Sequence, residues 1–199
     1  MRVATFCLVV SALSSACSLA QAPRKRHEPE TWSTTDGVKI DPLRASKGRT
    51  AVVLFMLTDC PIANAYAPEV SRIIEAYGAK GVSFSIAYVD PGITSEAATK
   101  HLRDYGYRCA GVLDPKRTLA LRAGATVSPE AIVISPKGVI VYRGRIDDRA
   151  TGYGKVKPRA SRQDLRLTLD AVIAGKSPPK ATTPCVGCII SLPSHSRRR

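Results

Sequence analysis

The chain has no apolar run long enough to cross a bilayer. A helix that spans the hydrocarbon core needs about 20 consecutive apolar residues, whereas the mostly apolar stretch near the N-terminus covers only residues 3–13. This stretch follows Arg2 and precedes a run of small residues, 14–22, which together form the three-part pattern of a secretory signal peptide. We therefore expect residues 1–20 to be a signal peptide and the mature protein to be exported, periplasmic or extracellular, with no transmembrane anchor.

Two cleavage points satisfy the rule that small residues precede the cut. They follow Ala20 and Ala22, and Pro23 makes the first preferable. A lipoprotein with Cys17 as the lipidated residue fits less well, because the residue three positions earlier is Ser14 rather than leucine. The sequence therefore predicts cleavage after Ala20 and argues against lipidation.

Cysteine is also scarce. Of the six cysteines in the 199-residue chain, four remain once residues 1–20 are removed: Cys60, Cys109, Cys185 and Cys188. Four are too few for a fold built from disulfides, and the remaining 179 of 199 residues suffice for one domain with a hydrophobic core. Because four cysteines admit three pairings, the sequence does not determine which cysteines pair. Redox chemistry explains these four cysteines better than structural disulfides do.

The chain lacks a concentrated basic surface, although its formal net charge is +14. Two basic runs lie near the ends, at 24–26 and 197–199, and no stripe of basic residues alternates with aromatic ones. This distribution argues against a nucleic-acid partner and leaves open weak adhesion to an acidic envelope or polymer.

Charged and proline-containing segments flank one candidate domain. We expect a flexible N-terminal segment at 21–31, a compact domain at 32–175 and a C-terminal tail at 176–199 that carries the last two cysteines. A Pro/Lys/Thr linker at 176–183 precedes those cysteines, so the tail could fold back onto the domain or reach a partner subunit.

Hydrophobic periodicity predicts alternating strands and helices followed by a hairpin and a last helix. In order, the elements are a strand pair within 31–40 that turns at Asp36-Gly37, strand 50–57, helix 62–77, strand 82–89, helix 95–105, strand 112–113, helix 115–123, strands 131–134 and 139–142, and helix 162–174. This order indicates an α/β fold with a mixed sheet.

One cysteine lies where a strand gives way to a helix. The apolar run 52–57 leads through Thr58 and Asp59 to Cys60, and Pro61 fits the first turn of the following helix. Unpaired N–H groups and the positive end of the helix dipole favour a thiolate at that place. Cys60 is therefore the candidate nucleophile, with Thr58 beside it, although an inward-facing Asp59 would oppose the thiolate.

Four segments carry a resemblance to the thioredoxin superfamily, and within it to the redoxin branch, the alkyl hydroperoxide reductase and thiol-specific antioxidant type, in exported bacterial proteins. They are 58–64 (TDCPIAN), 124–130 (GATVSPE), 142–149 (YRGRIDDR) and 186–189 (VGCI). The resemblance implies a thioredoxin-like three-layer fold, a cis Pro129 packed beside Cys60, and a substrate that is a hydroperoxide or a protein thiol or disulfide. It implies no organic cofactor, because the electrons come from a thiol donor, which the sequence does not identify.

The sequence departs from its relatives around Cys60. Ala63 stands where a thioredoxin has its second cysteine, and Thr58 precedes Cys60 by two residues where a standard peroxiredoxin has threonine three before and a proline upstream. A sulfenic acid at Cys60 would thus need a distant resolving thiol. Cys188 is the first choice because it lies in a resembling segment, and Cys185 is the alternative.

The spacing of Cys185 and Cys188 admits two further interpretations. A C-x-x-C pair can be a separate dithiol, or half of a metal site, for which the only other nearby donor is His195. Covalent haem attachment needs a histidine directly after the second cysteine of the pair, and that residue here is Ile189. We therefore predict no metal and no haem.

Several other residues have ordinary structural explanations. Cys109 is interpreted as a structural thiol, and His101 as a partly exposed helix residue rather than a base. Arg143, Arg145 and Arg149 could stabilise a Cys60 thiolate, or simply form ion pairs with neighbouring aspartates at a solvated strand end.

The sequence therefore predicts an exported thiol oxidoreductase with one active-site cysteine. The alternative is a non-catalytic binding or metal-handling module on the same fold, in which the Cys60 thiol is buried and unreactive. A third interpretation makes Cys60 and Cys188 a purely structural clamp for the tail.

Overall fold

The computed structural model of the chain describes residues 30–44 and 48–193. The expected signal peptide at 1–20, with its cleavage points and Cys17, lies outside the described residues, as do nearly all of the segment 21–31 and His195. None of the described helices is long and apolar enough to cross a membrane.

The described residues contain short peripheral strands, a central set of longer strands and five helices. The strands are β1 (Trp32–Ser33), β2 (Lys39–Ile40), β3 (Ala51–Met56), β4 (Ser83–Tyr88), β5 (Ala110–Leu113), β6 (Val127–Ser128), β7 (Glu130–Ile134), β8 (Ile140–Gly144), β9 (Ala150–Gly152), β10 (Lys155–Val156) and β11 (Cys188–Ile189). The helices are α1 (Pro61–Ala65), α2 (Ala67–Gly78), α3 (Ser95–Asp104), α4 (Thr118–Ala123) and α5 (Asp164–Ile173).

Five strands form the central sheet in the order β5-β4-β3-β7-β8. The pairs β3–β4 and β4–β5 are parallel, whereas β3–β7 and β7–β8 are antiparallel. The predicted mixed sheet is thus confirmed, with the hairpin forming one side of it. All six residues of β3 are buried, because this strand lies in the middle of the sheet.

Alternation along β3 sends its side chains into two cores, one on each face of the sheet. Val52, Leu54 and Met56 join the core that contains Cys60 and the buried side of α2. Val53 and Phe55 join a second core with α4. The sheet therefore lies between two helical layers, as the α/β prediction requires.

The helix predicted at 62–77 is two helices that meet at Tyr66. Pro68 lies in the first turn of α2 and has no N–H to continue the hydrogen bonds of α1, so the first helix ends after Ala65. The periodic pattern alone did not reveal this break, because Val70, Ile73 and Tyr77 still face the core.

The C-terminal tail pairs with the domain at two places. Residues 181–183 run along β8, where the Arg143 N–H donates to the Ala181 carbonyl at 2.9 Å and the Thr183 N–H donates to the Arg143 carbonyl at 3.1 Å. Further on, β11 pairs antiparallel with β6. The sequence predicted neither contact, since pairs this short and this distant in the chain leave no periodic pattern.

Candidate functional site

Cys60 caps the N-terminus of α1 at the point where the chain leaves β3. Its sulfur accepts a hydrogen bond from the Ala63 N–H at 3.4 Å, and its S–H donates to the Ser128 carbonyl at 3.1 Å. The residue is only 2% exposed. The predicted position of the thiol at the strand-to-helix junction is confirmed, and the thiol lies under other parts of the chain.

The loop that covers Cys60 contains the Ser128–Pro129 bond, which is cis, as the resemblance implied. Ser128 is fully buried, and its hydroxyl oxygen accepts a hydrogen bond from the Leu57 N–H at 2.8 Å. This bond ties the loop to the chain just beyond the end of β3. Ser128 therefore contacts the Cys60 segment through both its hydroxyl and its carbonyl.

Cys188 lies opposite Ser128 in the register between β11 and β6. It packs against the core that contains Cys60. Burial, and then the neighbouring Cys60 thiol, raise the pKa of Cys188 to about 11. The structure thus brings Cys60 and Cys188 together, and both are free thiols.

Gly187 makes this approach sterically feasible. A Cβ at position 187 would lie 2.1 Å from the Ser128 carbonyl oxygen, closer than any side chain tolerates. No local pattern in the sequence indicates this requirement, because the Ser128 carbonyl lies far from Gly187 along the chain.

Cys185 lies elsewhere. It lines a cleft of about 400 Å³ together with Glu130 and Arg143, and its sulfur lies 3.8 Å from the Thr183 carbonyl oxygen. Burial raises the pKa of Cys185 to about 12. Of the two candidate partners, Cys188 is the one that pairs with Ser128, whose carbonyl accepts the Cys60 S–H.

Thr58 is bonded to a carboxylate rather than to the thiol. Its N–H and hydroxyl each donate to Asp90 Oδ1 at 3.0 Å, and its carbonyl accepts from Asn64 Nδ2 at 2.8 Å. Thr58 thereby fixes the turn that presents Cys60. The Asp59 residue is exposed.

His101 is buried, at 8% exposure, which corrects the prediction of a partly exposed residue. Its Nδ1 lies 3.0 Å from the Tyr88 hydroxyl and its Nε2 lies 3.1 Å from Asn64 Oδ1. Because that amide oxygen can only accept, the proton is on Nε2, and Tyr88 donates to Nδ1. Burial lowers the pKa of His101, so the ring is neutral. The sequence did contain a signal for this burial, because His101 follows buried Ala98 by three residues and so lies on the same face of the helix.

The three arginines after the hairpin bond to other partners. Arg145 pairs with Asp164 at 2.7 Å, and Arg149 pairs with Asp147 at 3.1 Å. Arg143 donates to the Gly124 carbonyl at 3.2 Å. Within the described ranges, none of the three is hydrogen-bonded to the Cys60 sulfur, so the ion-pair interpretation describes Arg145 and Arg149.

Cys109 is the last of the four cysteines to be placed. Burial raises the pKa of Cys109 to about 12, and this thiol packs against the main core. Among residues 30–44 and 48–193, no three His, Cys, Asp or Glu side chains are grouped so that they could hold a metal ion.

Solved structures share this fold. A hypothetical protein from Sinorhizobium meliloti is 21% identical with a TM-score of 0.70, and the match covers 83% of this chain and 91% of that one. An uncharacterized conserved protein from Geobacillus kaustophilus is 23% identical with a TM-score of 0.68, covering 85% and 90%. A secreted disulfide oxidoreductase from Mycobacterium tuberculosis is 21% identical with a TM-score of 0.51, covering 73% and 95%. These likenesses establish a thioredoxin-like fold.

No curated protein matches the chain. The Redoxin family model matches residues 24–158, which include Cys60, the cis-proline loop and the hairpin, and which end before the tail. This match supports an oxidoreductase. Because it spans well over half of the 199 residues, the chain belongs to the Redoxin family, a branch of the thioredoxin superfamily.

Proposed function

We propose that this protein is an exported, thiol-dependent oxidoreductase in which Cys60 is the nucleophile and Cys188 is the resolving thiol. The observation that carries the proposal is the position of Cys188, which pairs with Ser128 directly before the cis proline and packs against the core that contains Cys60. Export is supported by the signal-peptide pattern and by the fold shared with a secreted disulfide oxidoreductase.

With a hydroperoxide as substrate, the Cys60 thiolate attacks the distal peroxide oxygen. The O–O bond breaks, Cys60 becomes a sulfenic acid, and the alkoxide leaves as an alcohol after taking a proton from solvent. Cys188 then attacks the Cys60 sulfur, and its thiol proton leaves with the hydroxyl group as water. A dithiol reductant finally returns both cysteines to thiols and is itself oxidised to a disulfide.

With a disulfide as substrate, the same pair exchanges thiols. The Cys60 thiolate attacks one substrate sulfur and releases the other as a thiolate, and Cys188 then attacks Cys60 to release the second. Both routes end in a Cys60–Cys188 disulfide, so this bond is the signature of the proposal.

Neighbouring groups support Cys60 in these steps. The Ala63 N–H donates to the sulfur and would stabilise negative charge on it. Pro129 follows the carbonyl that holds the Cys60 S–H, and Thr58 fixes the preceding turn through Asp90. Thr58 and Pro129 therefore act as positioning residues.

The competing function is a non-catalytic binding module. The low exposure of Cys60, 2%, favours it, because a buried thiol can be inert. That alternative requires that Cys60→Ser leaves every property of the protein intact and that no oxidant links Cys60 to the tail.

The test treats the reduced mature protein with hydrogen peroxide, or with a disulfide, blocks the remaining thiols by alkylation and maps disulfides by mass spectrometry. We expect a Cys60–Cys188 bond in the native protein. We expect its loss in Cys60→Ser and in Cys188→Ser, with sulfinic acid accumulating at Cys60 in the second variant under peroxide.

Cys185→Ser is the matched comparison, because it removes a tail thiol that is not bonded to Cys60. The Cys60–Cys188 bond should persist in that variant. A Cys60–Cys185 bond in the native protein would reassign the resolving thiol, and an unreactive Cys60 would favour the binding module.

A further inference from the structure

The backbone edge beside Cys60 is occupied by the chain's own tail. Cys188 pairs with Ser128 and Ile189 with Val127 in an antiparallel register, and the Ile190 N–H donates to the Thr126 carbonyl at 2.9 Å. We refer to residues 186–190 as the strap. It lies along the residues that precede Pro129 and so occupies the backbone edge beside Cys60 to which an extended polypeptide can pair.

We propose that the strap excludes polypeptide disulfides from Cys60 and leaves a small hydroperoxide as the oxidant that this thiol reduces. This inference rests on the proposed function and narrows it to one of its two substrate classes. It also assigns a role in specificity to Gly187 and Ile190, which take no part in the chemistry.

The strap is held at several points along its length. Ile190 is 4% exposed and packs in the second core with residues of α4. The Tyr153 hydroxyl donates to the Gly187 carbonyl at 2.7 Å, and the Arg117 guanidinium donates to the carbonyl of Ser191 just beyond the strap. Upstream, residues 181–183 are paired with β8. A strand fixed on both sides of Cys188 leaves the edge only if several contacts break together.

The close contact between the strap and the loop before Pro129 leaves no room for a second strand at this edge. Because a Cβ at position 187 would lie 2.1 Å from the Ser128 oxygen, the strap backbone approaches the loop more closely than a side chain would allow. An incoming polypeptide must therefore replace the strap, since two strands cannot use the same edge of β6. A hydroperoxide needs no backbone partner and has only to bring one oxygen to the sulfur.

The strap also places the resolving thiol for the peroxide route. When the Cys60 sulfenic acid forms, Cys188 is already at the Ser128 position of the register. The disulfide then forms with loss of water, and the tail does not first have to move to bring Cys188 to Cys60. In the disulfide route, by contrast, the substrate's cysteine would compete with Cys188 for the same place.

The experiment compares the full mature chain with Gly187→Ala and Ile190→Asp, which disturb the strap at a close contact and at a buried anchor. Gly78→Ala is the matched control, since Gly78 ends α2 and no atom lies within 4 Å of a Cβ built there. Amide hydrogen exchange across 186–190 reports strap release. Two probes then report on Cys60. The reaction with hydrogen peroxide is measured as loss of the Cys60 thiol. The reaction with a cysteine peptide capped with thionitrobenzoate is measured as release of the coloured thiol.

We expect the native protein and Gly78→Ala to react readily with peroxide and slowly with the peptide. Both strap variants should exchange their strap amides faster and react with the peptide about tenfold faster or more, as the loss of two backbone hydrogen bonds implies. Their first step with peroxide should be unchanged.

Three results would overturn the inference. Equal rates of reaction with the peptide in the native and strap-released proteins would overturn this inference but not the proposed function, because Cys60 would still be reactive. Unchanged hydrogen exchange in both variants would contradict the contacts that hold the strap. An inert Cys60 towards both probes in every protein would instead overturn the proposed function itself.

Discussion

Cys60 is surrounded by backbone groups and one other thiol rather than by cations. The Ala63 N–H and the Ser128 carbonyl are its direct partners. Of the three arginines that the sequence suggested, Arg145 and Arg149 are bonded to aspartates and Arg143 to a backbone carbonyl. Any activation of this thiol must therefore come from hydrogen bonding and from its place at the helix start. Such partners depend on loop positions, which explains why Thr58, Ser128 and Gly187 matter although none of them reacts.

The buried His101 makes the stability of the protein depend on pH. Burial lowers its pKa below the usual value of about 6.5, while the Asp90, Asp104 and Asp59 carboxylates act in the opposite direction. Above pH 6.5 both the folded and the unfolded chain hold a neutral ring, so this contribution is fully present. As the pH falls below 6.5, only the unfolded chain takes up the proton, and the free energy of unfolding decreases down to the folded pKa, by at most about 1.4 kcal/mol per pH unit.

The prediction is tested with His101→Gln and urea unfolding at a series of pH values. The variant should be less stable than the native protein at pH 7.5, and this difference should shrink as the pH falls below 6.5. Lys100→Gln, on the exposed side of the same helix, should follow the native pH profile. A constant difference between native and His101→Gln across the whole range would contradict a neutral, buried ring.

Single residues also show what a sequence reveals and what it hides. Cys60 could be placed correctly because the apolar run before it and Pro61 after it are local signals. The hydrogen bonds of His101 could not be predicted, because their partners Tyr88 and Asn64 lie on other elements. The requirement for glycine at position 187 depends on a carbonyl almost sixty residues away, so no local pattern carries it.

At the scale of elements, hydrophobic periodicity predicted the strands and helices of the central layers. It did not predict the strand pairing of the tail. β3, β4 and α3 match their predicted positions within one or two residues, since each buries one face or both. β6 and β11 have two residues each, which is too short for any alternation to be recognised. Their existence depends on pairing with each other, and the sequence shows such long-range pairs only through the resemblance of its segment 186–189.

The first part of the tail depends on one buried hydroxyl. Thr183 is 8% exposed, and its Oγ1 accepts a hydrogen bond from the Arg145 N–H at 3.1 Å and lies 2.7 Å from the Tyr142 hydroxyl. Thr183→Val keeps the shape of the side chain and leaves the Arg145 N–H without this partner. We expect a loss of about 1–3 kcal/mol in the free energy of unfolding and faster trypsin cleavage after Lys180.

Thr182→Val is the matched control for this prediction. Thr182 is the neighbouring residue, and it is exposed, so the same substitution should change neither the unfolding midpoint nor the cleavage rate. If both variants behaved like the native protein, the hydroxyl of Thr183 would not hold the tail. If both were cleaved faster, the effect would come from replacing a hydroxyl by a methyl group in this segment rather than from the lost Thr183 bond.

At the scale of the whole molecule, a family domain and a tail beyond it meet beside Cys60. The Redoxin match ends at residue 158, whereas the thiol beside Cys60 is at position 188. In the proposed function, the domain supplies the nucleophile and the cis-proline loop, and the tail supplies the strap and the second thiol. The oxidation state of the site should therefore be coupled to the stability of the whole chain.

A Cys60–Cys188 disulfide would close a loop that contains most of the domain. Such a bond restricts the unfolded chain far more than the folded one, because the folded tail already lies beside Cys60. We expect the oxidised protein to be more stable than the reduced protein by about 2–4 kcal/mol, seen as a higher urea midpoint. The difference should vanish in Cys188→Ser and persist in Cys109→Ser, because the expected bond does not involve Cys109. An oxidised form that is no more stable than the reduced one would mean that closing the bond distorts the docked tail, and the tail would then be displaced in each catalytic cycle.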